Sequence, residues 1–368
     1  MFDPRVEKLA DVLVNYSVAV RPGDKVLLRS ETTADPLIRA VYTKVIQAGG
    51  LPYLQLTLPG LDEIFYRHAS NDQLKFVHEP QKMIYETYDA QIILIGSQNT
   101  KALTNVEPER MVMHHRARSV LSEIFSRRAA TKELRWTLTL FPTHAHAQDA
   151  EMSLTEYEDF VYSACLPDMD DPIGYWKKFS AQQQKIVDWL QGREKVHILG
   201  PDTDLKLSIA GRTFINCDGH ENMPDGEVFT GPVENSIEGH VCFSYPTIYD
   251  GREVTGVRLR FENGKIVHAT ADKNEAFLIK TLDTDEGSRY LGEFAIGTNT
   301  QIQKFTGEIL FDEKIGGSFH MAAGDGYPET GSTNKSAIHW DMICDLRNGG
   351  EIWVDDQLFY KDGQFTIL

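Results

Sequence analysis

Gln91-Ile92-Ile93-Leu94-Ile95-Gly96 (QIILIG, residues 91–96) is an unbroken apolar run of strand length. A strand that is hydrophobic on both sides is covered on both faces, as in parallel sheets flanked by helices. Toward the N-terminus, Lys25-Val26-Leu27-Leu28 and Tyr53-Leu54-Gln55-Leu56 read as two more strands. Between them Asp35 caps a helix with Pro36 at its first position. Leu37, Ile38, Val41, Tyr42, Val45 and Ile46 line one face, and Gly49-Gly50 ends it. An earlier helix places Val6, Leu9, Ala10, Leu13 and Val14 at helical spacing before the turn Pro22-Gly23-Asp24. Toward the C-terminus, Trp136-Thr137-Leu138-Thr139-Leu140-Phe141 is a fourth strand that stops at Pro142. Alternating strands and helices predict an α/β N-terminal domain with a doubly wound parallel sheet.

From Ser153 to Gln191 the pattern is helical, broken at Leu166-Pro167-Asp168-Met169-Asp170-Asp171-Pro172. Composition then shifts to short strands and frequent turns. The expected boundary falls at Gly192, with an α/β scaffold domain over 1–192 and a mainly β (α+β) catalytic domain over 193–368. In the second half, Asn263-Gly264 between Val257–Phe261 and Ile266–Ala269 signals a two-residue hairpin, and a helix is expected near Glu275 to Leu282.

Charge and motifs remove several function classes. A net charge of −17 repels nucleic acid and anionic membranes. No apolar run reaches membrane-spanning length, and MFDPRVEKLADVL begins amphipathically, so a cytoplasmic protein is expected. Cys165, Cys217, Cys242 and Cys344 are scattered without a C-x-x-C pair, which suits reduced thiols better than disulfides or a thiolate metal site. Arg29-Ser30-Glu31-Thr32-Thr33 stands where a dinucleotide-binding glycine motif would follow the first strand, and no P-loop motif occurs. His114-His115 lies in a basic helical stretch and reads as a solvated face. His144 and His146, after a strand end, read as structural or partner-contacting.

Chemistry concentrates in Gly316 to Asp341, GGSFHMAAGDGYPETGSTNKSAIHWD, whose glycines and proline predict that no regular element persists there for long. At its end, Ile338-His339-Trp340-Asp341-Met342 as a strand puts His339 and Asp341 on one face and the apolar residues on the other. An imidazole beside a carboxylate suits a borderline divalent ion, though the triplet alone equally describes a surface histidine held by a carboxylate. Glu227 between a turn and an apolar strand, Glu293 among apolar and small residues, and Glu313 ahead of His320 extend the inventory. Each alone also fits the polar face of an alternating strand. Together, several carboxylates and two imidazoles are the makings of a two-metal hydrolytic site.

Four ordered segments, MPDGEVFTGPVENSIEG, RYLGEFAIGTN, LFDEKIGGSFHMAAGDGYPETG and NKSAIHWDMICDL, resemble the aminopeptidase T family of dinuclear metallo-aminopeptidases, over essentially the whole chain. The resemblance implies hydrolysis of the N-terminal peptide bond of short peptides by a metal-activated water. It implies Glu227, Glu293, His320, His339 and Asp341 as ligands of two divalent ions (zinc, cobalt or manganese), with Glu293 bridging them. It further implies Tyr327 as an oxyanion donor, Glu313 as a ligand, partner or general base, and a homodimer. The loop from Tyr327 to His339 is shorter than in some members. A related branch of iron-dependent ring-cleaving dioxygenases acting on dihydroxypyridines is the alternative. There a histidine stands at the position of Glu293 and the counterpart of Glu227 is missing, so keeping both glutamates favours hydrolysis. A non-catalytic metal- or peptide-binding protein is the third reading.

Overall fold

The structure, a computed structural model, describes residues 3–367. The chain divides into two compact units, one formed by Met1–Tyr175 with Gly219–Pro224 and the other by Trp176–Asp218 with Asp225–Leu368. In the first unit, strands β1 (Lys25–Glu31), β2 (Leu51–Thr57), β3 (Ala90–Ile95) and β4 (Arg135–Leu140) form a parallel sheet in the order β2-β1-β3-β4, and the short strand Asn222–Met223 extends it beside β4. Val26, Leu28, Ile92 and Leu94 are buried, whereas Ile93 and Ile95 on the other face of β3 are only half-buried, so the apolar run is fully covered on one face alone. The edge strand β2 departs from that pattern, since Leu51, Tyr53, Leu54 and Leu56 are exposed.

Asp35 and His114 depart from their local sequence patterns, whereas His146 is structural as its context implies. Asp35 is the first residue of the helix Asp35–Gln47 rather than its cap, because a 3₁₀ turn over Thr32–Ala34 feeds directly into it. His114 does not lie on a solvated face: Tyr66 Oη pairs with its Nδ1 at 2.8 Å and the rings of Phe65 and Tyr66 pack on it, while His115 is exposed. His146 is buried against Thr143 Oγ1 at 3.0 Å, and burial lowers its pKa to about 4, a structural neutral imidazole.

The division of the chain precedes Gly192. Helix Pro172–Leu190 sends Ile186, Val187 and Leu190 into the apolar core of the second unit, so from Trp176 onward burial assigns this helix to the strands that follow it. Thr203–Ser208, Lys195–Gly200 and Glu351–Val354 lie at the middle of an eight-stranded antiparallel sheet. The predicted hairpin is present, with Asn263 (φ 49°) and Gly264 (φ 80°) both left-handed as a two-residue turn requires. The predicted helix forms as Glu275–Leu282.

The second sheet of this unit has five strands: β5 (Ile215–Cys217), β6 (Glu227–Thr230), β7 (Leu291–Gly297), β8 (Ser318–Gly324) and β9 (His339–Asp345), in the order β9-β8-β7-β6-β5 and antiparallel throughout. Val228, Phe294, Ile296, Phe319, Met321, Trp340 and Met342 pack with Ile198, Leu205, Val241 and Leu259 of the larger sheet in one core. The glycine-rich stretch is more regular than its composition predicts. Ser318–Gly324 is a full seven-residue strand because neighbours on both sides take its backbone hydrogen bonds.

Candidate metal centre

The period of two along β6 to β9 sorts side chains between the core and the opposite face. Glu227 and Phe229, then Glu293 and Ala295, His320 and Ala322, and finally His339 and Asp341 occupy that opposite face. Register places Glu293 opposite Ala322, His320 opposite Ala295, and Asp341 opposite Ala322. Alanine beside each large polar group leaves room for the groups to converge.

Glu293 reaches this face through an irregularity. A simple alternation from Leu291, which is in the core, would send Glu293 into the core as well. The pairing with β8 shifts between Leu291 and Glu293, and this bulge at Gly292 turns the carboxylate over. Gly292 is required there: a Cβ would lie 2.0 Å from the carbonyl oxygen of Asp325.

The five expected ligands come together. Glu293 Oε1 lies 3.3 Å from His320 Nε2, and its Oε2 lies 3.3 Å from His339 Nε2. The two oxygens of one carboxylate therefore face two different imidazoles. His320 Nε2 is also 3.2 Å from Glu227 Oε2, and His339 Nε2 is 3.6 Å from Asp341 Oδ1. Two groups, Glu227–Glu293–His320 and Glu293–His339–Asp341, each bring three donor atoms within 4.8 Å of one another and share Glu293. His339 Nδ1 donates to the carbonyl of Asp325 at 2.8 Å, which leaves Nε2 as the ligating nitrogen.

Burial makes this arrangement costly without a cation. Glu227, Glu293 and His320 are almost fully buried, and Glu227 Oε2 and Asp341 Oδ1 are buried without a hydrogen-bond partner. Burial would lower the pKa of His339, but Asp341 and Glu293 push it up to about 12, and Glu227 and Glu293 likewise hold His320 far above the ordinary histidine value. Burial would raise Glu227, yet Lys314 and His320 bring it down to about 2. Protons on these imidazoles stand in for positive charge that a divalent ion can supply, so the donor set fits such ions.

Glu313, His320 and Asp341 form a further group of converging donors, and burial raises Glu313 to about 8. The Tyr327 ring packs on Phe229 and on His339 at centroid distances of 5.1 and 5.3 Å. The residue is 39% exposed, yet partial burial around the phenol, with Glu293 and Asp341 nearby, raises its pKa above the usual value, so it stays protonated. Beside Asp341 opens a cavity of about 180 Å³ lined in part by Thr247, Ile248, Phe305, Ile309 and Ile343. Lys314 and Asp225 join the centre without having stood out in the sequence, and Cys217, which reads there as an ordinary reduced thiol, lies beside Asp225 and Glu227. The signal for Lys314 was a lysine wedged between a carboxylate and Ile315-Gly316-Gly317, where a surface lysine has little reason to be.

Residues 2–365 match the thermophilic metalloprotease (M29) family. Aminopeptidase T of Thermus thermophilus is 26% identical over 405 aligned positions, covering 100% of this chain and 97% of its own. Aminopeptidase 2 of Geobacillus stearothermophilus is 25% identical, covering 93% and 92%. The solved structure of wild-type AmpT from Thermus thermophilus superposes with a TM-score of 0.87 at 24% identity over 100% of both chains. The structure of 2,5-dihydroxypyridine dioxygenase from Pseudomonas putida KT2440 is more distant in fold, with a TM-score of 0.61 at 14% identity over 99% of this chain and 97% of that one.

Proposed function

The chain belongs to the thermophilic metalloprotease family M29, and on that premise we propose that it is a metal-dependent aminopeptidase that removes N-terminal residues from short peptides. The observation that carries this reading is the sharing of Glu293 between His320 and His339, one carboxylate oxygen to each. Glu227, Glu293, His320, His339 and Asp341 would hold two divalent ions, with Glu293 bridging. Such ions supply Lewis acidity to a peptide carbonyl and lower the pKa of water to give a nucleophile near neutral pH.

The chain's own groups do the rest. Tyr327, protonated throughout the working range, donates a hydrogen bond to the oxygen that gains charge at the scissile carbon. Glu313, with a pKa raised to about 8, takes and returns a proton. The cavity beside Asp341, lined by Ile248, Phe305 and Ile309 together with the carboxyl groups of Glu308 and Asp312, receives the side chain of the residue to be released. Zinc, cobalt and manganese suit this mixed imidazole and carboxylate set. A cytoplasmic homodimer is the form in which we expect the enzyme to act.

The test is metal content per chain together with cleavage of aminoacyl anilides by stripped protein given zinc, cobalt or manganese. Restored cleavage with about two ions per chain is expected. One iron per chain, with oxygen uptake on a dihydroxypyridine and no peptide cleavage, would instead place the protein with the dioxygenases.

A further inference from the structure

Lys314 is the least expected group in the centre. Its side chain has 0% exposure, and its Nζ lies 3.1 Å from Glu227 Oε1 and 3.9 Å from Asp225 Oδ1, in contact also with Glu313 Oε1. Asp225 is itself 0% exposed. Cys217, Asp225 and Glu227 bring three donor atoms within 4.8 Å of one another, a grouping suited to a metal ion. Here the cation those carboxylates face is part of the chain.

A lysine buried alone gives up its proton, because the ammonium loses its hydration. Lys314 is not alone: Glu227, Glu313 and Asp225 surround its ammonium and supply the counter-charge that water would otherwise give. Lysine suits the role better than arginine, being a compact point charge on a flexible stem where a planar fork would need more room. Glu227 is divided as a result. Lys314 takes Oε1, while Oε2 has no hydrogen-bond partner and lies 3.2 Å from His320 Nε2.

We propose that Lys314 is a built-in cation of the metal centre: its ammonium occupies the pocket of Cys217, Asp225 and Glu227 that would otherwise take a further ion, and it fixes Glu227 with Oε2 turned toward His320. Lys314 is thus a positioning residue. A tethered ammonium is present at any free-metal concentration, so Glu227 keeps its orientation whether the neighbouring sites are empty or full. The proposal rests on the metalloenzyme reading above.

The experiment compares wild type, Lys314→Met and the double variant Lys314→Met with Asp225→Asn. Each is stripped, equilibrated with the same free zinc and analysed for zinc bound per chain, with circular dichroism to check folding. Lys314→Met is expected to bind one more zinc per chain than wild type. The double variant, which loses one charge of each sign and one donor, is expected to return to the wild-type number. Folded Lys314→Met with the wild-type number overturns the proposal. If that variant does not fold, the double variant decides: folded with the wild-type zinc number it supports the proposal, and unfolded it overturns it. Wild type that binds no divalent ion at all sinks the metalloenzyme reading as well, whereas an unchanged count in Lys314→Met sinks only the role of Lys314.

Discussion

Strand β3 in the parallel sheet and strand β7 in the five-stranded sheet are both largely buried, yet they are buried for opposite purposes. β3 hides Ile92 and Leu94 against apolar neighbours, and it carries no ionisable side chain, its buried polar residue being the amide Gln91. In β7 all seven residues are buried, but only Leu291, Phe294 and Ile296 join the apolar core, while Glu293 turns toward two histidines. A buried carboxylate is tolerated only with compensating charge, with hydrogen-bond donors, or protonated. Burial therefore identifies structure in one sheet and chemistry in the other, and the partner of each buried group tells the two apart.

The strongest way to break this contrast is His339→Ala. It removes a donor of the Glu293–His339–Asp341 group, and we expect kcat/KM to fall about a thousandfold or more with loss of bound metal, while circular dichroism stays that of wild type. Retained activity with full metal content would show that the buried charges of β7 and β9 are structural after all. Tyr327→Phe should come next, with kcat lowered about a hundredfold and metal content unchanged, measured in the same anilide assay.

Gly292→Ala tests the bulge rather than the ligands. The new Cβ would collide with the carbonyl of Asp325, so we expect about 2 to 4 kcal/mol of destabilisation in urea unfolding and weaker zinc binding, since Glu293 and the Asp325 carbonyl that holds His339 both shift. Wild-type zinc affinity in this variant would separate the bulge from the centre.

Acid should affect the two units in different ways. His146 has a folded pKa of about 4, below the unfolded value of about 6.5, so the unfolded chain binds more protons in that window and stability falls as pH drops from about 6.5 to 4. The loss is about 3 kcal/mol, and His146→Leu should flatten the acid limb of melting temperature against pH. The imidazoles of the metal centre are held protonated when no ion is bound, so zinc affinity should also fall with acid, but by proton competition that His146→Leu leaves untouched. Zinc titrations of both proteins across the same pH range check this.

Much of this protein is written locally. The apolar run at 91–96, the Asn263-Gly264 turn and the alternation in Ile338-His339-Trp340-Asp341-Met342 depend only on neighbours along the chain, and each formed as its residues imply. The ordered segments around Glu227, Glu293, His320 and His339 were enough to point to the family. Tertiary structure alone decided three matters. Helix Pro172–Leu190 joins the second unit from Trp176 onward because most of the surface that buries Ile186 and Leu190 is distant in sequence. The bulge that turns Glu293 over exists only in the pairing of β7 with β8, which no single segment contains. Lys314 became a cation of the centre because folding brings Asp225 and Glu227, some ninety residues earlier, against its ammonium; charge is written in the sequence, but its partner is chosen by whatever the fold packs beside it in a medium that screens it weakly.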